Sequence, residues 1–171
     1  MKMPLKPALM DIRRQSVKWI IIHHTAEMYD IPSARIDTST YQYTALTKGV
    51  MEKKQADVNY HYIVEKVKDD YIPIACRPIS YICEWQDIDN NINNRAIHVA
   101  LLGSYDLKIP EKRCYEILAY KLLNPMLKLF HISPSKIKFH NEVSSNKKLT
   151  CPGEFIDKAI VISMTRKFVI K

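Results

Sequence analysis

Glycine is scarce in this chain of 171 residues, with only Gly49, Gly103 and Gly153. A P-loop or a dinucleotide fingerprint needs several glycines where the backbone closes on phosphate, so neither is present. Long apolar runs are missing too. No stretch approaches the ~20 apolar residues needed to cross a bilayer, and no membrane insertion is expected. Asp11, Arg13 and Arg14 arrive before a signal-peptide apolar segment of roughly seven residues can form, so the expectation is cytoplasmic synthesis without a classical export signal. Cys76, Cys83, Cys114 and Cys151 include no C-x-x-C pair, which removes the commonest zinc-ribbon and thioredoxin-like patterns and implies reduced thiols. Internal repeats, Gly/Ser linkers and low-complexity segments are also lacking.

What is present suits one compact domain over residues 1–171. The chain is 47% hydrophobic, enough to build a core without disulfides. Its formal net charge of +8 favours polyanions, which include nucleic acid, acidic membranes and anionic wall polymers. No zinc-finger spacing or RNA-binding motif accompanies that charge, so no nucleic-acid partner is expected.

Residues 17–22 form a short β-branched run, the pattern of a buried strand that presents His23 at its end. Residues 29–37 read as a loop and 38–54 as a helix from about Ser39. Residues 59–66 alternate as a strand, with 71–75 returning as its hairpin partner through Lys68-Asp69-Asp70. An asparagine-rich loop over 87–95 precedes another apolar strand, 96–102, that Gly103 ends. Apolar residues recur at helical spacing over 111–130, where Pro125 predicts a kink. Residues 137–139 read as a short strand delivering His140, and 154–167 as a closing helix. Strands interleaved with helices imply an α/β fold with a central sheet flanked by helices.

Three polar sites stand against these strands: His23-His24-Thr25, Asn59-Tyr60-His61-Tyr62, and His140 followed by Cys151-Pro152-Gly153. Imidazole nitrogens and a thiolate suit tetrahedral zinc, and a catalytic zinc site keeps three protein ligands with the fourth position open. His23, His140 and Cys151 supply that count. Successive strand side chains point to opposite faces, so His23 and His24 do not both join one site. Taken singly, each of these residues is as readily a packed histidine or a small buried thiol.

The blocks Ile20-Ile-Ile-His-His-Thr25, Asn59-Tyr-His-Tyr-Ile-Val64, Asn94-Arg-Ala-Ile-His-Val-Ala-Leu-Leu-Gly103 and His140 through Cys151-Pro-Gly153 come in the order seen in zinc-dependent N-acetylmuramoyl-L-alanine amidases. The sequence resembles the amidase type shared by short phage lysozymes and peptidoglycan recognition proteins, over about residues 17–160. The resemblance implies that family's central mixed sheet. It further implies one Zn2+ per chain on His23, His140 and Cys151, and cleavage of the amide between N-acetylmuramic acid and the L-alanine of the stem peptide. Tyr60 becomes the first choice for stabilising the oxyanion and Lys148 the second. His24 becomes a supporting residue and His61 a core histidine. For substrate contacts the candidates are His24, Asn93, Asn94 and Thr150, with Lys136, Lys138, Lys147 and Lys148 nearby for peptide carboxylates.

Two positions depart from the family pattern. Leu149 stands where many catalytic members carry Lys or Thr, and Ala100 where the cytoplasmic recycling branch carries Glu. With no classical export signal and a basic surface, the leading expectation is a phage-type endolysin, a bacteriolytic monomer acting on the wall after release from the host cytoplasm. A recycling amidase for muropeptides and a non-catalytic peptidoglycan-binding module are the alternatives.

Overall fold

The computed structural model describes residues 13–26 and 59–167; the expected loop over 29–37 and helix over 38–54 lie outside the described residues. Five strands form one sheet: β1 (Trp19–His24), β2 (Tyr62–Val67), β3 (Asp70–Ala75), β4 (Ala96–Leu101) and β5 (Ile137–Phe139). Their order is β3-β2-β4-β1-β5. β1 pairs in parallel with both β4 and β5, β2 pairs in parallel with β4, and only the β2–β3 hairpin is antiparallel. This is the mixed sheet expected from the sequence.

The β-branched run explains why β1 sits near the centre. Ile20, Ile21 and Ile22 are wholly buried, and each such side chain contributes about 1.5–3 kcal/mol when removed from water. Alternation then divides the sheet into two faces. Ile20, Ile22, Val64, Ile97, Val99, Leu101, Ile137 and Phe139 pack into the large core with the helices. Ile21 and Ala96 instead pack with Ile88, beside Trp19 and Trp85. His23 and His98 belong to that second face through the pairings Ile21↔His98 and His23↔Ala100.

The helical periodicity over 111–130 is present as one continuous helical stretch, with a change of winding next to Pro125. An α-helix, α2 (Lys112–Ile117), passes into a π-wound segment, Leu118–Leu123, and then into α3 (Asn124–Phe130). Proline brings no N–H and crowds the carbonyl four residues back. The wider winding absorbs this just before Pro125, where the Asn124 N–H reaches back five residues to the Ala119 carbonyl. The asparagine-rich loop also carries an unexpected turn of helix, α1 (Asn90–Asn93), because the Asp89 side chain caps it by accepting from the Asn91 N–H. A 3-10 turn (Pro134–Lys136) enters β5; α4 (His140–Val143) follows it, and α5 (Lys158–Lys167) closes the chain. No helix among the described residues is long and apolar enough to cross a membrane.

Glu65 on β2 is a buried acid in this frame. It is 1% exposed, its Oε1 has no hydrogen-bond partner among the described residues, and burial pushes its carboxyl up to about 7. A carboxyl whose folded value is raised binds more protons in the folded state, so stability falls as pH rises from about 4.5 to 7. Glu65→Gln should therefore melt higher than the native protein at pH 8, and the gap should close below pH 4.5. Thermal unfolding of both proteins across that range is the check.

Candidate metal centre

His23 lies next to last in β1, held by its pairing with Ala100, and is wholly buried. Its Nε2 is 2.9 Å from His98 Nδ1 on the neighbouring strand, which leaves Nδ1 facing Cys151 Sγ at 3.9 Å. His140 opens α4 immediately after β5, the strand on the other side of β1. Parallel neighbours thus deliver the two histidines to the same end of the sheet, where ligand sites of such sheets gather. The His23 and His140 rings stand 4.5 Å apart.

Cys151 arrives by a different route. The loop after β4 clamps the loop that carries it. Asp106 accepts from the Thr150 hydroxyl at 3.0 Å and from the Glu154 N–H at 2.9 Å, while the Tyr105 carbonyl accepts from the Phe155 N–H at 3.0 Å. On the other side the Cys151 carbonyl accepts from the Asn141 N–H at 2.9 Å, which ties the thiol's loop to His140. Cys151 Sγ accepts from the His24 N–H at 3.4 Å. Gly153 makes this approach possible. Its φ is +113°, and a Cβ there would lie 2.6 Å from the Tyr105 backbone.

The three donor atoms lie within 4.8 Å of one another, and all three residues are buried. Two ligands of one zinc stand at most about 4.4 Å apart, the sum of a Zn–S and a Zn–N bond, so Sγ and Nδ1 already meet that limit and small side-chain rotations bring in the rest. Burial, helped by the neighbouring His98 and His140, pushes the His23 imidazole well below its usual value and keeps it neutral, as a ligand must be. Burial also lowers His140, with Asp87 opposing. The Cys151 thiol is pushed up to about 12 by burial, so a metal must displace its proton. Donor type, number and spacing fit zinc.

Several residues complete the site that the sequence did not single out. Asp87 Oδ2 stands 3.0 Å from His140 Nε2 and accepts from the Ser144 hydroxyl at 2.5 Å. Trp85 stacks on His23 at 4.5 Å with its plane 19° away, and meets His140 edge-on at 4.9 Å. Asp106 and His98 are the others. Nothing local marks Trp85, Asp87 or Asp106. His98 had a signal: it is the lone polar residue in an otherwise apolar strand.

The other candidates fall into two groups. Tyr60 stands beside the cluster, its ring 5.5 Å from both His23 and Trp85. His61 is a core histidine, with Nδ1 accepting from the His98 N–H at 2.9 Å and Nε2 3.0 Å from the Tyr81 carbonyl. His24 is buried with Nδ1 accepting from the Tyr105 N–H at 3.2 Å, so it supports the clamp rather than facing outward. Asn93 is a correction. It is 2% exposed, and its amide donates to the Trp85 and Ile88 carbonyls, so it shapes the loop and is not open to a substrate. Asn94 is half-buried at the end of α1, Thr150 spends its hydroxyl on Asp106, Lys148 is exposed, and Leu149 is half-buried. Lys136 lies over the Trp19 ring and Lys147 reaches the Ser144 carbonyl.

The family model described as N-acetylmuramoyl-L-alanine amidase (Amidase_2) matches residues 13–154. The chain belongs to this amidase family. No curated protein sequence matches it. Among solved structures, the chain is similar to the endolysin N-acetylmuramoyl-L-alanine amidase LysCS from Clostridium intestinale (TM-score 0.68, 15% identity, 99% of this chain and 94% of that one). It is similar also to the Drosophila peptidoglycan recognition protein SD (0.66, 22%, 91% and 86%). A third is a Drosophila PGRP-LB mutant solved in complex with tracheal cytotoxin (0.65, 18%, 90% and 85%). At these identities the likeness is one of fold.

Gly153→Ala tests the clamp. It should lower stability by about 1–3 kcal/mol in urea unfolding, since the backbone it meets cannot rotate away, and displace Cys151 from His23.

Proposed function

We propose that this amidase is a zinc-dependent peptidoglycan hydrolase that cuts the amide between N-acetylmuramic acid and the L-alanine of the stem peptide. The observation that carries the reading is the convergence of His23, His140 and Cys151, buried and with donor atoms within 4.8 Å, inside the span matched to the family. Those three residues would hold the ion. Zinc bound there supplies Lewis acidity toward the scissile carbonyl and a nucleophile at neutral pH.

The chain's own groups do the rest. Tyr60, beside His23, donates its phenolic hydrogen to the carbonyl oxygen as negative charge builds there. Trp85 lies against the His23 and His140 rings and keeps water from that flank. Water adds at the carbonyl carbon, the C–N bond breaks, and the amine leaves with a proton. The products are the muramic acid carboxylate and a peptide beginning in L-alanine. Lys148, exposed on the loop that carries Cys151, is the second candidate for the oxyanion or for a peptide carboxylate.

The setting we propose is that of an endolysin, made in a host cytoplasm and acting on the wall after release, with a basic surface suited to an anionic polymer. Fold likeness to an endolysin amidase supports this, and Ala100 speaks against the recycling branch. Leu149 favours the second reading, a module that binds peptidoglycan without cutting it.

Incubation with purified peptidoglycan should release stem peptides with a free L-alanine amino group, read by mass spectrometry; binding without release would overturn the enzymatic reading. The protein should hold about one zinc per chain, lost together with activity in Cys151→Ser and His140→Ala. Tyr60→Phe should keep its zinc yet lose about 10²–10³ in kcat.

A further inference from the structure

His98 sits in the middle of β4, a strand buried along its whole length and otherwise apolar. No packing need explains it. Neutral imidazole has one N–H donor and one acceptor. With Nδ1 of His98 against His23, its Nε2 is buried with no hydrogen-bond partner among the described residues, a cost of about 1–3 kcal/mol that an apolar side chain would avoid.

The hydrogen-bond directions can be assigned from the backbone outward. His98 donates its main-chain N–H to His61 Nδ1 at 2.9 Å, so that nitrogen of His61 carries no proton. His98 is thus held in place from its backbone, and β1 pairs with it through Ile21. The His23 nitrogen facing Cys151 must present a lone pair to act as a ligand, so the His23 proton resides on Nε2. Among the described residues that proton has one acceptor, His98 Nδ1 at 2.9 Å.

We propose that His98 is a positioning residue for the metal: it accepts a hydrogen bond from His23 Nε2–H, which keeps the His23 proton off the nitrogen facing Cys151 and fixes the plane of the ring. This role rests on the zinc reading above. It differs from the support given to His140, where a carboxylate, Asp87, stands against the ring. A neutral imidazole in that place orients His23 without adding negative charge beside it, so the two histidine ligands receive unlike support from opposite sides of the cluster. Partners of this kind typically change metal affinity 10–100-fold.

Two substitutions separate orientation from packing. His98→Asn places an amide oxygen near the position of Nδ1 and keeps the acceptor while losing volume; His98→Leu keeps volume and loses the acceptor. Zinc affinity is measured by competition with a chromophoric chelator, and Co2+ absorption reports the geometry of the ligand set. The expected result is a loss of about 10–100-fold in zinc affinity with a changed Co2+ spectrum in His98→Leu, and affinity within a few-fold of native in His98→Asn. Equal affinity in His98→Leu and the native protein, or equal loss in both variants, would overturn the role. Should His98→Leu fail to fold, His98→Gln against His98→Asn makes the same comparison, because the glutamine amide lies one bond farther out. Native protein that binds no zinc would instead remove the metal reading, and this role with it.

Discussion

A buried imidazole is stabilised when its ring nitrogens find partners, and the wholly buried His23 faces one on each side. One nitrogen meets His98 across the β1–β4 pairing, and the other is turned toward Cys151. The first contact needs the parallel register that sets Ile21 against His98 and His23 against Ala100. The second needs a loop more than a hundred residues away in sequence to be pressed onto the end of β1. Much of the surrounding structure serves these two demands.

Hydrogen bonds join the loop to its neighbours, beside the core packing of Tyr105 and Ile156. Asp106 takes hydrogen bonds from Thr150 and Glu154, Tyr105 takes one from Phe155, and His24 takes one from Tyr105. His24 therefore serves the same thiol as His23 but from the other side of the strand. Its main-chain N–H donates to the sulfur while its ring steadies the clamp. The adjacent pair divides its work because successive side chains leave a strand on opposite faces.

The elements were legible in the chain to an uneven degree. β1, β4 and the β2–β3 hairpin could be read because β-branched and aromatic runs bounded by turn residues have few other uses. The helical stretch over 112–130 could be read from its periodicity, but its π-wound middle could not, since that winding is a local answer to Pro125 and leaves the apolar spacing unchanged. Asn93 misled because a polar residue in a polar loop looks available. Its amide is spent on two carbonyls of its own loop, which only the path of the backbone reveals.

Sequence alone picked out the candidate donor set. His23, His140 and Cys151 are set by residue type, by strand-end placement and by the order of short motifs, all of which are local. Tertiary structure decided what surrounds them. Asp87, Trp85, Asp106 and His98 reach the cluster only through strand register and loop closure, and nothing in their immediate neighbours along the chain encodes a distance across the sheet. His98 marks the boundary between the two. Its polarity in an apolar strand was visible from the sequence, but the 2.9 Å contact that gives it a role exists only once β1 and β4 lie side by side.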